Sequence, residues 1–293
     1  MITEILLPIA LAVIMFALGL TLTVADFARV FAQPRAIAVG LIGQVLIVPV
    51  LAFLIADALQ LPPDLAMGLM LLAACPGGAS AGLITHLAGG KTALSISLTA
   101  ITSVLAVLST PLVVDFALLH FTGSAATTEL PVAKMVRGMF LITTVPVALG
   151  MTMRHYRPAL TVRIEPLAGR IAVGIFLAIV VATFVGQRQV LATHIADIGP
   201  AALLLNLAVM AVGFGLAAAF RLDHRDRIAI AIECGLQNAA LGIFLAVGVL
   251  AVPAMAVSSV VYALLMNLTA IAFIFLMRRS RRRSGGQPDA STA

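Results

Sequence analysis

The chain has 293 residues, of which 62% are hydrophobic and 10% charged, and its mean hydropathy is +1.15. This composition lies outside the range of soluble globular domains and predicts an integral membrane protein. A membrane-spanning helix needs roughly 20 apolar residues, so the length accommodates about nine or ten spans and no sizeable soluble domain. The net charge of +6 comes from basic residues at span ends without interleaved aromatic residues, so we expect no nucleic-acid partner.

The apolar runs, bounded by charged residues or proline, predict an all-α polytopic membrane protein with about nine transmembrane helices. The predicted spans are residues 4–24, 36–58, 63–88, 91–118, 131–153, 167–186, 197–220, 228–250 and 253–277. Together they form one transmembrane domain over residues 1–277. A basic tail rich in Ser and Gly follows at residues 278–293, and we predict that it is disordered and cytoplasmic.

The basic residues also predict an orientation. If successive loops alternate sides, all of the 18 Lys and Arg residues except Lys134, Arg137 and Arg188 fall on one side of the bilayer. The positive-inside rule places that side in the cytoplasm. We therefore expect a multi-pass protein of the cell membrane, surrounded by lipid, with its N-terminus outside and its C-terminus in the cytoplasm.

The third span contains a helix-breaking sequence near its middle. Pro76 removes an amide donor and clashes with the preceding turn, while Gly77 and Gly78 add backbone freedom, so the helix should break there. Backbone groups exposed at such a depth are tolerated only where they are buried in protein or line a water-filled cavity. The break therefore indicates an internal site.

The eighth span carries three polar side chains, Glu233, Gln237 and Asn238, around a second break at Gly235. An ionisable residue in mid-membrane costs at least ~2.5–3.5 kcal/mol on insertion scales, so Glu233 indicates a functional site. The alternative is a structural glutamate that is bonded to a neighbouring helix.

Paired interrupted spans at corresponding positions of two chain halves are typical of inverted-repeat transporters. The third and eighth spans form such a pair. Half-helices that end at a break present carbonyl groups to a cation, and those that begin there present amides to an anion. A bound sodium ion also needs side-chain oxygens, and the candidate ligands are Glu233, Gln237, Gln44, Ser95 and Thr99.

An enzyme is the alternative of another class, because residues 78–82 match the G-x-S-x-G nucleophile pattern around Ser80. An intramembrane serine hydrolase would need a strand–turn–helix elbow or a histidine within hydrogen-bonding reach of the serine. His86 lies six residues further on, on a different face of a helix. We therefore expect a protein that is not an enzyme and needs no cofactor.

Several motifs resemble those of the bile acid:sodium symporter family, and the likeness covers essentially the whole membrane region. They are Cys75-Pro76-Gly77-Gly78, Ser95 with Thr99, Glu233-x-Gly235-x-Gln237-Asn238, Gly19-Leu20-Thr21, Gln44 with Pro49, and Asn267.

The resemblance implies a panel domain, here residues 4–24, 131–153 and 167–186, and a core domain made of the other spans. The two broken helices would cross in the core, and the substrate would bind in the crevice between the domains. Similarity to this family implies sodium-coupled symport of a small organic anion, such as a bile acid or a pyruvate- or pantoate-like acid, by alternating access. No obligatory protein partner is expected.

The resemblance also implies the ion ligands. One family sodium site, carried over to this chain, uses the side chains of Glu233, Gln237 and Gln44 and the carbonyls of Cys234 and Leu236.

The other family sodium site uses a Ser-Asn pair, which reads Ala81-Gly82 here, together with Ser95, Thr99 and the same glutamate. Two side-chain oxygens are therefore missing from the second site. One sodium ion, two sodium ions with Ser80 or Thr85 as a substitute ligand, and a proton in place of a sodium ion all stay open. Proton-coupled transport of an organic anion by the same fold is thus the alternative mechanism.

The substrate anion is expected to meet backbone amides and polar side chains near the two breaks, because no Lys or Arg is predicted at mid-depth. The predicted substrate-binding residues are Gly77, Gly78, Ala79, Ser80, Asn238 and Asn267.

Overall fold

The computed structural model describes residues 2–123 and 132–283. Within these ranges every regular element is a helix, which confirms the predicted all-α class. The first half of the chain contains α1 (Ile2–Thr21), α2 (Val24–Ala32), α3 (Pro34–Leu41), α4 (Val48–Ala58), α5 (Pro63–Ala73), α6 (Ala81–Ala88) and α7 (Thr92–Phe121). A π-helical turn, Ile42–Ile47, joins α3 to α4, so residues 34–58 form one continuous helix.

The second half contains α8 (Val132–Met139), α9 (Val145–Tyr156), α10 (Pro158–Gly186), α11 (Arg188–Ala219), α12 (His224–Gly235), α13 (Ala239–Phe244) and α14 (Ala256–Arg283). Turns of other helical types again extend or join the α-helices. The π-helical turn Phe140–Thr144 joins α8 to α9, Leu245–Val249 extends α13, and the 3₁₀ turn Pro253–Met255 leads into α14.

Six helices of the described residues are long and apolar enough to cross a membrane, which agrees with a multi-pass membrane protein. They are Pro34–Ala58, Thr92–Phe121, Met135–Tyr156, Pro158–Gly186, Arg188–Ala219 and Pro253–Arg279. The shorter apolar helices are Leu6–Thr21, Pro63–Ala73 and Ala239–Val249. The full set of nine spans stays a prediction.

The helices extend further than the apolar runs that predicted them. The helix predicted from residue 167 begins at Pro158, and the helix predicted from residue 197 begins at Arg188. Proline is favoured in the first helical turn, where its missing amide would have no partner anyway. Apolar runs mark only the stretch suited to lipid, whereas a helix continues through polar residues beyond it.

The prediction of a disordered tail from residue 278 is wrong for its first six residues, because α14 continues through Arg283. Arg278 connects this extension to the rest of the fold. Its Nε donates a hydrogen bond to the carbonyl of Leu87, 2.8 Å away, in the last turn of α6. A cation is favourable at this end of a helix, where unpaired carbonyls form the negative pole. Residues 284–293 lie outside the described residues.

The third and eighth spans are broken as predicted, and the two breaks pair with each other. The amide of Gly78 donates to the carbonyl of Leu236 (2.7 Å), and the amide of Asn238 donates to the carbonyl of Pro76 (3.0 Å). These two bonds join the extended segments in an antiparallel bridge centred on Gly77 and Gln237. The backbone groups that the breaks release are therefore satisfied by one another.

The helices that surround this crossing pack in two groups. In one, α1 lies along α9 and α10. In the other, α11 packs on α12 and α14, and α5 packs on α4, α7 and α14. An ion pair between Lys91 and Asp226 (3.0 Å) also joins the start of α7 to the start of α12.

Two glycines allow α1 and α9 to approach until their backbones touch. A Cβ atom at Gly150 would collide with the carbonyl of Phe16 and the backbone of Gly19. Close packing through small residues is a major source of helix association in membranes, where the hydrophobic effect between helices is absent.

We therefore expect Gly150→Ala to lower the midpoint of thermal unfolding of the purified protein in detergent by several degrees. The added methyl group must push two backbones apart, and overpacking of this kind costs roughly 1–3 kcal/mol. Gly174→Ala in α10 is the matched control, because a Cβ atom there meets open space. Alanine is the better helix former, so the control should keep or raise the midpoint. Equal midpoints for the two variants would contradict the close contact of α1 and α9.

Candidate functional site

Gln44 and Gln237 meet beside the crossing and form a reciprocal amide pair. The Gln44 Nε2 donates to Oε1 of Gln237 (2.9 Å) and to the carbonyl of Cys75 (3.0 Å). The Gln237 Nε2 donates to Oε1 of Gln44 (3.3 Å) and to the carbonyl of Cys234 (2.7 Å). Each glutamine thus bridges the other to the backbone of a broken helix, which holds both amide oxygens in one place.

Local sequence explains how Gln44 reaches this position. It lies in the π-helical turn Ile42–Ile47, one turn before Pro49, whose missing amide interrupts the regular hydrogen-bond ladder. Such wide turns are frequent at functional sites.

Glu233 lies at the centre of the site and is fully buried. Its carboxylate accepts hydrogen bonds from the hydroxyls of Ser95 (2.9 Å) and Thr99 (2.6 Å). Ser95 and Thr99 are four residues apart in α7 and therefore share one helix face. On the other side the carboxylate packs on Gly77, where a Cβ atom would collide with Oε1. The glycine of the first break is thus required to admit the glutamate of the second.

The carboxylate has no counter-ion among the described residues, since no Lys, Arg or His lies within ion-pair distance of Glu233. A buried charge is costly unless it is paired. The surrounding groups are oxygen donors, which hard cations such as sodium prefer. One buried negative charge among hydroxyl, amide and carbonyl oxygens fits a monovalent cation, or a proton on the carboxyl group.

The structure brings together most of the sequence-predicted sodium ligands. They form two hydrogen-bonded groups beside the crossing: the Glu233 carboxylate with the hydroxyls of Ser95 and Thr99, and the amide pair of Gln44 and Gln237. The carbonyls of Cys234 and Leu236 accept from Gln237 and from the amide of Gly78, respectively. A carbonyl oxygen has two lone pairs, so both retain a site for a cation.

The second predicted ion site has fewer oxygens. Ala81 is buried in the first turn of α6, and Gly82 follows it. The Thr85 hydroxyl is buried but has no hydrogen-bond partner, so it does not join the cluster around Glu233. Ser80 is exposed. These positions do not replace the missing Ser-Asn pair in the arrangement seen here.

Sequence reasoning missed a polar cluster that supports the second break. The Asn206 Nδ2 and the Tyr262 hydroxyl both donate to the carbonyl of Gly235, at 2.8 and 3.0 Å. The Thr269 hydroxyl in turn donates to Oδ1 of Asn206 (2.5 Å). Asn206 and Tyr262 are fully buried. The sequence did contain a signal for this cluster, because Asn206 is a single amide side chain inside an apolar span. The same kind of signal identified Gln44 as a candidate site residue.

A cavity of about 550 Å³ lies beside the crossing, between the two helix groups. Four predicted substrate residues line it, namely Gly78, Ala79, Ser80 and Asn238. Two do not. Gly77 packs on Glu233 instead, and Asn267 is exposed on α14, where its amide donates to the carbonyl of Ala263 (2.6 Å).

Arg170 also lines this cavity, although no Lys or Arg was predicted near the substrate. In the predicted topology, Arg170 belongs to the basic residues at the end of its span. However, α10 begins at Pro158, so Arg170 lies twelve residues into it. At a rise of about 1.5 Å per residue, this corresponds to roughly 18 Å along the helix axis.

The family can now be assigned. The model of the sodium bile acid symporter family matches residues 8–194. The chain belongs to this family. The three relatives described below are named as transporters or cotransporters, which agrees with a protein that is not an enzyme.

Individual relatives support the same assignment. The chain is 33% identical over 268 residues to a Bacillus subtilis protein named uncharacterized sodium-dependent transporter YocS, covering 90% of this chain and 80% of that protein. It is 32% identical over 276 residues to the rice protein named probable sodium/metabolite cotransporter BASS2, chloroplastic. That match covers 93% of this chain but only 64% of the rice protein. The human ileal sodium/bile acid cotransporter is 27% identical over 241 residues, 80% of this chain and 67% of the human protein.

The geometry around Glu233 predicts the effect of removing one hydroxyl. If Glu233 binds sodium, we expect Thr99→Val to weaken that binding about tenfold, because it removes a hydrogen bond that favours the charged carboxylate. Binding is measured as the sodium-dependent rise in the thermal unfolding midpoint of the purified protein, with choline chloride at equal ionic strength. Thr102→Val is the control, since the Thr102 hydroxyl donates only to the carbonyl of Thr99, in its own helix (3.2 Å). Equal sodium affinities in both variants would exclude Thr99 from the ion site.

Proposed function

We propose that this protein is a sodium-coupled symporter of a small organic anion that works by alternating access. Membership of the sodium bile acid symporter family supports the class of transporter. The single observation that carries the proposal for this chain is the buried Glu233 carboxylate, which lies among oxygen donors without a basic partner in the described structure.

We propose a single sodium ion per transport cycle. Glu233 supplies one negative charge beside the crossing and the Gln44–Gln237 pair supplies neutral amide oxygens, which suits one monovalent cation. The absence of oxygen side chains at Ala81 and Gly82 disfavours a second ion. A proton on Glu233 in place of sodium is the alternative, because protonation would also neutralise the buried carboxylate.

Ion binding and substrate binding are coupled in this mechanism because their proposed ligands are consecutive residues of the chain. Gln237 belongs to the ion cluster, and the next residue, Asn238, lines the cavity and caps α13 by accepting a hydrogen bond from the amide of Leu241 (3.1 Å). A cation that holds Gln237 therefore also positions Asn238 for the substrate. Such linkage is reciprocal, so the bound substrate strengthens ion binding by the same factor.

The two helix groups are the units that move relative to each other in this mechanism. The cavity has α1 and α10 on one side and the segments around both breaks on the other. This division supports the proposed panel and core domains, and we propose the nine spans that the apolar runs predict. Rotation of one group against the other would expose the cavity to alternate sides of the membrane. We propose a cell-membrane location, with the C-terminus in the cytoplasm because the basic residues cluster on that side.

Uptake into proteoliposomes tests this function. Radiolabelled cholate, pyruvate and pantoate are offered separately under an inward sodium gradient and under an inward proton gradient. We expect the sodium gradient to drive uptake of at least one acid, and Glu233→Gln and Gln237→Ala to reduce that uptake to background. Glu233→Gln removes the negative charge of the proposed ion site, and Gln237→Ala removes one of its amide oxygens.

Matched controls are Glu165→Gln and Gln189→Ala, which change the same residue types outside the cluster. Both should keep sodium-driven uptake. Uptake driven only by the proton gradient would favour the proton-coupled alternative. Undiminished sodium-driven uptake by both Glu233→Gln and Gln237→Ala would refute the proposed ion site.

A further inference from the structure

A second cavity, of about 530 Å³, lies between the start of α3 and the end of α11. Two arginines, Arg35 and Arg221, and six apolar residues line it, and none of these residues lines the cavity beside the crossing. One wall is the beginning of the helix Pro34–Ala58 and the other is the end of the helix Arg188–Ala219, both apolar enough to span a membrane. This span-end cavity is therefore placed where the protein meets the membrane surface.

The lining changes from basic to apolar along one helix face. Arg35, Ala38, Val39 and Ile42 are spaced by three and four residues, so they share a face of the continuous helix over residues 34–58. Arg35 belongs to the first turn, and Ile42 lies roughly 10 Å further along the helix axis. Phe220 adds an exposed apolar side chain from the end of α11. A ligand in this cavity thus meets cations at one end and apolar surface toward the bilayer.

The two arginines are the only charged residues of this lining, and neither forms an ion pair with a carboxylate of the described residues. The acidic residues that follow Arg221 in the chain, Asp223 and Asp226, lie beside Lys91 instead, at 3.8 and 3.0 Å. Two permanent positive charges therefore share one cavity without a counter-ion from the protein. The planar fork of a guanidinium group matches the oxygens of a phosphate.

The backbone at Arg221 gives an independent reason to assign a role to its side chain. The residue has a φ of 57° and ends α11 in a left-handed conformation that normally favours glycine. Two hydrogen bonds close this helix end, from the amide of Arg221 to the carbonyl of Ala218 (2.9 Å) and from the amide of Leu222 to the carbonyl of Ala217 (3.0 Å). Glycine would satisfy the same geometry with less strain, so the backbone does not require an arginine here.

We propose that the span-end cavity binds one anionic phospholipid, whose phosphate is held by Arg35 and Arg221 and whose acyl chain lies along Ala38 and Ile42. A zwitterionic lipid would bring its own cation to the two arginines, which would repel it. A free phosphate would gain the charged contacts but bury no apolar surface. In the proposed orientation the cavity opens to the cytoplasmic leaflet, where basic pockets between helices bind anionic head groups.

Lipid binding to the purified protein in detergent tests this proposal. Phosphatidylglycerol, phosphatidylcholine and glycerol 3-phosphate are titrated separately. Bound lipid is counted by native mass spectrometry, and each ligand's effect on the thermal unfolding midpoint is recorded. We expect one high-affinity phosphatidylglycerol site with at least about tenfold preference over phosphatidylcholine. Phosphatidylglycerol should raise the midpoint, because a ligand that binds only the folded state stabilises it. Glycerol 3-phosphate at the same concentrations should not.

Charge variants separate this cavity from general attraction to a basic surface. Arg35→Gln combined with Arg221→Gln should weaken phosphatidylglycerol binding about tenfold or more and remove the preference over phosphatidylcholine. The matched control combines Arg157→Gln with Arg163→Gln, which removes two exposed arginines of the same predicted membrane side that do not line the cavity. The control should bind phosphatidylglycerol as the wild type does.

Two further variants keep the test independent of folding defects. Arg221→Gly should weaken phosphatidylglycerol binding several-fold, yet keep or raise the unfolding midpoint without lipid, because glycine adopts the left-handed conformation without strain. Ala38→Phe leaves both charges in place but fills the path of the acyl chain, so it should also weaken binding several-fold. Ala211→Phe, at an exposed alanine of α11 outside the cavity, is its control and should bind as the wild type does.

Several results would overturn the proposal. Equal affinities of the wild type for phosphatidylglycerol and phosphatidylcholine would exclude a site for anionic lipid. An equal loss of binding in the two double variants would show attraction to basic charge in general rather than to this cavity. Wild-type binding by Ala38→Phe would exclude the acyl chain from the cavity. A rise in the midpoint with glycerol 3-phosphate as large as with the lipid would show a site for soluble phosphates instead.

Discussion

The structure depends on one constraint: backbone groups released inside a membrane protein must find partners within it. Two helices break in their middle, at Pro76 and Gly235, and each break releases amides and carbonyls that lipid cannot satisfy. The two hydrogen bonds between the break segments resolve this conflict. Because each break is the main partner of the other, the two halves of the chain must meet here, and the adjoining side chains are brought to one place.

The meeting of the breaks also explains the buried charge. Glu233 belongs to one broken helix, the glycine that makes room for it belongs to the other, and α7 supplies the two hydroxyls that bond to it. Asn206 and Tyr262 hold the backbone at Gly235 from behind. These contacts hold the carboxylate in place, but no basic side chain of the described residues pairs with its charge. In the proposed function a cation would neutralise this charge and relieve the cost of burying it.

The ion cluster and the cavity share the residues of the crossing but differ in chemistry. Around Glu233 the groups are close, buried oxygen donors, which suit a small cation. On the cavity side the surroundings are apolar apart from a few donors and one arginine. Gln237 and Asn238, which are consecutive in sequence, connect the two environments. In the proposed mechanism, this connection is the physical route by which ion binding changes the energy of substrate binding.

The sequence by itself determined the membrane class, both helix breaks and the polar residues beside them, because proline, glycine and buried polar groups have strong local signals in apolar spans. It could not show that Asn267 bonds to its own helix or that Gly77 contacts Glu233, since both depend on how helices rotate against one another. The position of Arg170 was also hidden, because α10 extends beyond its apolar run. Only the tertiary structure decided which side of each helix faces the crossing, since packing between distant segments sets helix rotation.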